Sequence, residues 1–150
     1  MRVFQSISII TLFLFTFSAW SQDPVLGQWH TIDDDTGEVK SVVTLSMAEN
    51  GTMVGVITEV LKKNPGDGLC HECEDEFKDQ PIKGMQFIWG FKKTAIGEWE
   101  DGRLLDPESG DIYSGNITIT EDPTKLDVRG YVGISLFGRS QTWNKVIITP

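Results

Sequence analysis

Three groups of residues have the types that chemistry requires. The first lies in the last third of the chain, where Arg129 and Tyr131 stand two apart, followed by Arg139, Gln141, Trp143 and Lys145 at the same interval. Side chains alternate along an extended strand, so each set shares one face. A guanidinium with amide, phenol and indole neighbours suits an acyl carboxylate or another small anion with an apolar tail. Tyr113 and Trp29 join these as candidate ligand contacts. The plainer reading of the same residues is an internal salt-bridge network, with Asp33, Asp34 or Asp106 answering the arginines across strands, because a buried charge normally has a partner.

The second group is a pair of acidic turns. Asp33-x-Asp35-Thr36-Gly37-Glu38-Val39 and Asp106-x-Glu108-Ser109-Gly110-Asp111-Ile112 share one pattern. Asp accepts backbone N–H bonds from the residues just after it and Gly takes the left-handed position, so both read as structural turns. Calcium is the sharper alternative, although neither turn has the twelve-residue ligand spacing of a calcium loop. Asp33 with Asp106 would be the carboxylate pair of a hydrolase, if the fold brought them together.

Cys70 and Cys73 form the third group and are the only cysteines. In an exported chain they predict a structural disulfide. Zinc would need about four ligands, and Cys70, His71 and Cys73 supply three in a cramped loop. A thioredoxin-type site would open a helix after a βαβ unit, and no such pattern is visible. Catalysis has little else to draw on. His30 and His71 have no nucleophile arrangement beside them, and residues 133–138 do not form a G-x-S-x-G elbow. The pattern calls for no cofactor and no metal.

The N-terminus is a leader by its pattern. Met1-Arg2 precedes a nearly uncharged run to Trp20, and Ala19-Trp20-Ser21 offers small residues where a signal peptidase reads. Cleavage before Gln22 divides the chain into a signal peptide, 1–21, and one domain, 22–150. No second apolar stretch approaches membrane-spanning length. The expectation is an exported protein, periplasmic or secreted. The formal charge is −9, one unit more negative once Arg2 is lost. That balance disfavours nucleic acid and anionic headgroups as partners.

The elements that must position these groups are strands. Residues 26–32, 39–47, 52–61, 85–92, 95–99, 103–105, 113–119, 126–132 and 140–148 alternate or run apolar between turn signals, of which Asn50-Gly51 is the strongest. Asp101-Gly102 reads as a further turn, and no helical period is sustained. Eight to ten short strands joined by tight turns predict an all-β, antiparallel up-and-down barrel, closed so that no edge is exposed. Residues 62–83 interrupt the pattern as a long acidic connection, the kind of excursion that is usually functional.

Four segments carry a family resemblance: Trp29-x-Thr31-x-Asp33-Asp34-x-Thr36-Gly37-x-x-Lys40-Ser41, the Cys70/Cys73 pair, Trp99-x-x-Gly102-x-x-x-Asp106-Pro107-x-x-Gly110-x-x-Tyr113, and Val128-Arg129-Gly130-Tyr131 with Gly138-Arg139-Ser140-Gln141-x-Trp143. Together they closely resemble the bacterial domain of unknown function 2147, over essentially the whole of residues 22–150. The resemblance implies an exported small barrel akin to lipocalins and fatty-acid-binding proteins. That family has no established activity, so no catalytic residue carries over. Gly27-x-Trp29 is similar to the lipocalin signature in which a Trp plugs one end of the barrel under a basic residue of the last strand; Arg139 is the expected partner. Three functions remain open: a barrel binding a small apolar or amphipathic molecule through Arg129 or Arg139; an envelope protein-interaction module using the acidic 70–76 loop or exposed aromatics such as Trp89 and Phe91; and a hydrolase.

Overall fold

The computed structural model describes residues 21–62 and 66–148. The expected leader, 1–21, lies outside the described residues but for Ser21. Eight strands follow one another: β1 (Gly27–Ile32), β2 (Val39–Met47), β3 (Met53–Val60), β4 (Gln86–Ala95), β5 (Glu98–Leu105), β6 (Ile112–Ile119), β7 (Lys125–Tyr131) and β8 (Gly138–Lys145). Each pairs antiparallel with the next, and β8 returns to β1, giving a closed barrel. The seam is short, with Trp29 opposite Lys145 and His30 opposite Asn144. Val146 N–H then donates to Gln28 O at 3.0 Å.

Alternation decides which side chains enter the barrel. On β2 the inward set is Ser41, Val43 and Leu45; on β3 it is Met53, Gly55 and Ile57. On β7 Leu126 and Val128 are buried while Asp127 between them is exposed. Glycine appears where the interior has no room: a Cβ on Gly102 would overlap the Phe91 ring. Asp101 before it sits at φ 58° and the β5–β6 register shifts between Trp99 and Gly102. Asp101-Gly102 is therefore a bulge within β5 and not the expected turn. The β4–β5 reversal falls instead at Ile96-Gly97.

The barrel has one closed end and one open one. Trp29, Leu45, Phe91 and Trp99 are fully buried, and burying each such side chain contributes roughly 1.5–3 kcal/mol. Trp29 Nε1 donates to Val25 O at 2.8 Å, and the Lys145 ammonium lies 5.2 Å from the Trp29 ring centroid. The plug is thus present, but its cation is Lys145. Arg139 lies six residues up β8 from Lys145, at the opposite end, because the β1–β8 register sets Lys145 against Trp29.

Asp23 completes the closed end. It accepts from Val25 N at 3.1 Å, Trp99 Nε1 at 3.2 Å and Gly97 N at 3.3 Å, and it pairs with Lys93 at 2.8 Å. Burial by itself would raise this carboxyl. The Lys93 bond, then the Val25, Trp99 and Gly97 donors, reverse that and hold it below its ordinary value.

Candidate functional site

The β1–β2, β3–β4, β5–β6 and β7–β8 connections gather at the open end. The two acidic turns are structural twins there. Asp33 N–H donates to Glu38 O and Gly37 N–H to Asp33 O, each at 2.8 Å; Asp106 N–H donates to Asp111 O at 2.9 Å and Gly110 N–H to Asp106 O at 2.8 Å. Gly37 and Gly110 hold φ of 71° and 77°, which glycine adopts freely. The side chains serve their own turns. Asp33 Oδ1 accepts from Thr36 N–H and its hydroxyl, both at 2.9 Å, and Asp106 Oδ1 accepts from Glu108 N–H at 2.9 Å.

Between the strands below these turns lies a cavity of about 540 Å³, within the range of small-molecule sites. Its wall is mainly apolar: Ile57, Phe87, Leu104, Leu105, Val128 and Trp143. Phe87 and Trp143 meet across the interior with ring centroids 6.3 Å apart. None of Trp29, Leu45, Phe91 or Trp99 touches the cavity, so it occupies only the open half of the barrel. Polar groups interrupt that wall, among them Tyr113, Tyr131, Gln141 and two aliphatic hydroxyls. Thr31 Oγ1 and Ser41 Oγ lie 2.6 Å apart and are buried.

Among the described residues the rim carries three cations, each matched by a carboxylate. Lys40 pairs with Glu108 at 2.8 Å and Lys62 with Asp33 at 2.6 Å, and Arg139 pairs with Asp34. The Lys62 bond, followed by the Thr36 donors, holds the Asp33 carboxyl far below the usual carboxylate range; Asp33 in turn raises Lys62. Asp34 Oδ2 also accepts from Gln141 Nε2 at 2.6 Å, and Gln141 Oε1 accepts from Trp143 Nε1 at 3.1 Å. A hydrogen-bonded chain therefore runs from rim to wall through Asp34, Gln141 and Trp143.

Of the residues expected to contact a ligand, Tyr113, Tyr131, Arg139, Gln141 and Trp143 line this cavity, as does Asp106. Two expected contacts do not. Trp29 is the closed-end plug. Arg129 follows inward-facing Val128, so its side chain lies on the outer wall, where it donates to Ser140 Oγ at 3.1 Å. Tyr113 donates to Asp111 Oδ2 at 3.3 Å; burial first, then the Asp111 charge, raises its phenol. Sequence reasoning missed Thr31, Ser41, Lys62 and Phe87. Thr31 was the detectable one, since Trp29 and Thr31 share a face.

The long connection is an ordered wall of the mouth. Cys70 and Cys73 are joined in a buried disulfide, Cα–Cα 5.4 Å. Cys70 Sγ rests 3.2 Å from the Pro107 carbonyl, and a Cβ on Gly110 would overlap the Glu72 carbonyl. His71 is clasped by Asp79 at 2.6 Å and Asp67 at 2.9 Å, and these bonds raise its pKa. Ile82 carries this loop into the cavity wall. The aromatics expected as an exposed surface are otherwise employed: Phe91 is fully buried, and Trp89 stacks on Phe77 with centroids 5.9 Å apart. The exposed apolar cluster lies elsewhere, on the β7–β8 connection, where Val132, Ile134, Leu136 and Phe137 are 59–77% accessible.

Comparisons with known proteins agree with this architecture. The family model described as "Uncharacterized protein conserved in bacteria (DUF2147)" matches residues 27–145. Among solved structures, the chain is similar to one described as "Protein HP1028 from the human pathogen Helicobacter pylori belongs to the lipocalin family". The TM-score is 0.69 at 15% identity, covering 81% of this chain and 82% of that one. At that identity the likeness shows a lipocalin-like fold. Comparison with curated proteins gives no match.

Proposed function

Since the chain belongs to the DUF2147 family of uncharacterised bacterial proteins and folds as a lipocalin-like barrel, we propose that it binds a small apolar or amphipathic molecule inside the barrel. The observation that carries this is the half-packed interior: one end is plugged by Trp29, while the other keeps a cavity of about 540 Å³ with a largely apolar wall. Leaving such a space empty forfeits packing against every lining side chain, and filling it recovers that contact. Arg139 at the rim is the anchor available to an amphipathic anion, in exchange for Asp34. The twin turns and the disulfide-bearing loop hold the mouth in shape around the entrance.

The test is a thermal-shift panel of neutral and anionic lipids, with native mass spectrometry of the protein as purified. A bound lipid-like mass is expected, and a ligand at a hundred times its Kd adds about 2.7 kcal/mol of stability. Silence across the panel, with no co-purified mass, overturns the reading. We further propose that the protein is exported to the periplasm, on the leader-like segment 1–21 and the disulfide. Cell fractionation with N-terminal sequencing tests this, expecting Gln22 first.

A second reading has its own observation. The β7–β8 tip, residues 132–137, is uncharged and apolar amid acidic turns, the kind of patch that marks a contact with another envelope protein. Loss of a co-purifying partner from a Leu136→Asp/Phe137→Asp variant, with the lipid panel silent, favours this reading over the first.

A further inference from the structure

We infer that the cavity is built for an uncharged ligand with a hydrogen-bond acceptor, such as an acyl ester, in preference to a free fatty acid. The inference rests on the ligand-binding reading and assigns the class of molecule.

Charge bookkeeping at the rim comes first. The cations lining the cavity are Lys40, Lys62 and Arg139, and Glu108, Asp33 and Asp34 already neutralise them. Asp106 adds a further carboxylate to the lining. An arriving carboxylate therefore competes with one already paired for each of these cations. Asp33 is poorly placed to yield, since Thr36 N–H and its hydroxyl fix one oxygen at 2.9 Å while Lys62 holds the other at 2.6 Å. Asp34 is held by Gln141 as well as by Arg139. The chain's formal charge of −9 adds long-range repulsion of anions.

Hydrogen-bond bookkeeping identifies what the wall offers instead. Gln141 is committed at both ends, its amide N–H to Asp34 and its carbonyl to the Trp143 indole. Thr31 and Ser41 differ. Each hydroxyl owns one hydrogen, and their mutual bond at 2.6 Å consumes only one of the two. Among the described residues neither hydroxyl has another side-chain or backbone partner. The remaining O–H is a buried donor in the cavity wall, where leaving it unsatisfied is unfavourable. A carbonyl or ether oxygen satisfies it without bringing charge into the barrel. Apolar surface at Ile57, Phe87, Leu104 and Val128 receives the chain attached to that oxygen.

The test displaces a neutral fluorescent probe, N-phenyl-1-naphthylamine, from the purified protein at neutral pH. The competitors share one chain length: a fatty-acid methyl ester, the free acid and the plain hydrocarbon. The ester is expected to bind at least about twofold more tightly than the acid, the worth of the exposed ion pair with which the acid must compete. It should exceed the hydrocarbon by about three- to tenfold, the worth of one neutral hydrogen bond. Thr31→Val/Ser41→Ala, which replaces both hydroxyls by near-isosteres, should abolish the ester's advantage over the hydrocarbon. Asp34→Asn, which releases the Arg139 guanidinium, should raise the acid's affinity relative to the ester. An acid that binds as well as the ester to the wild-type protein overturns the inference and leaves the ligand-binding reading intact. An ester preference that survives the double variant also overturns it. A probe that never binds, with no competitor stabilising the protein, removes the ligand-binding reading itself and the inference with it.

Discussion

Removing the Asp23 carboxylate should loosen the closed end of the barrel more than its position before the first strand suggests. In Asp23→Ala, four donors lose their acceptor: Val25 N, Gly97 N, Trp99 Nε1 and Lys93 Nζ. Lys93 is 44% exposed and regains water, so its share is small. Trp99 is fully buried, and an indole N–H stranded there costs about 1–3 kcal/mol. Together with the two backbone donors the sum is about 2–3 kcal/mol, or a fall in Tm of about 5–15 °C for a domain of this size. Urea and thermal unfolding, followed by far-UV circular dichroism, measure it. Asp23→Asn should cost less, because its carbonyl keeps one acceptor. The pH dependence follows from a folded pKa held below the ordinary 3.8. The stabilisation is complete above that ordinary value and disappears as pH falls through the lower, folded one. The gap between wild type and Asp23→Asn should therefore close in acid. A loss below about 0.5 kcal/mol for Asp23→Ala, within the range of an ordinary surface substitution, refutes the reasoning.

The two candidate plug cations separate by stability. Lys145→Met keeps the aliphatic stem but loses the contact with Trp29, costing about 1 kcal/mol, whereas Arg139→Ala breaks an exposed pair worth under about 0.5 kcal/mol; urea midpoints in the reverse order would put the plug at Arg139. Gly110→Ala and Gly133→Ala share a positive φ of 77° and 76°, but only the first meets a neighbour, the Glu72 carbonyl. Both pay the left-handed penalty of roughly 1–2 kcal/mol, and Gly110→Ala should cost measurably more in the same unfolding assay. His71, raised by Asp79 and Asp67, should titrate by NMR with a midpoint above the ordinary 6.5; its ties to the loop are complete below that value and lost as pH rises through the folded one.

Much of the barrel was legible because alternation is a local property. Val43 with Leu45, Leu126 with Val128, and the turns at Asp33, Asn50 and Asp106 each announce a strand, a face or a reversal within a few residues. The same parity puts Arg129 outside, since Val128 must point in, and applying it to that strand would have removed Arg129 from the candidate ligand contacts. Tyr131 has Arg129's parity yet reaches the cavity, because β7 ends there and the chain turns over the mouth. What was not legible is how far the last strand slides along the first. Arg139, Gln141, Trp143 and Lys145 lie on one face, and only the stagger of the closed barrel decides which of them meets Trp29. That stagger joins residues more than a hundred positions apart. Asp23 was missed for a related reason: it stands before the first strand, and its partners Gly97 and Trp99 arrive from the far side of the sheet.

The route by which the polypeptide enters and leaves the barrel has a practical bearing. Pro24 and Val25 lead in beside Trp29, and Val146 leads out beside Gln28. A handle inserted just ahead of Asp23, whether an affinity tag, a fluorophore or an immobilising linker, therefore attaches at the base. Capture on a sensor chip through that point would leave the entrance facing the flow, which suits surface-based titrations of the cavity.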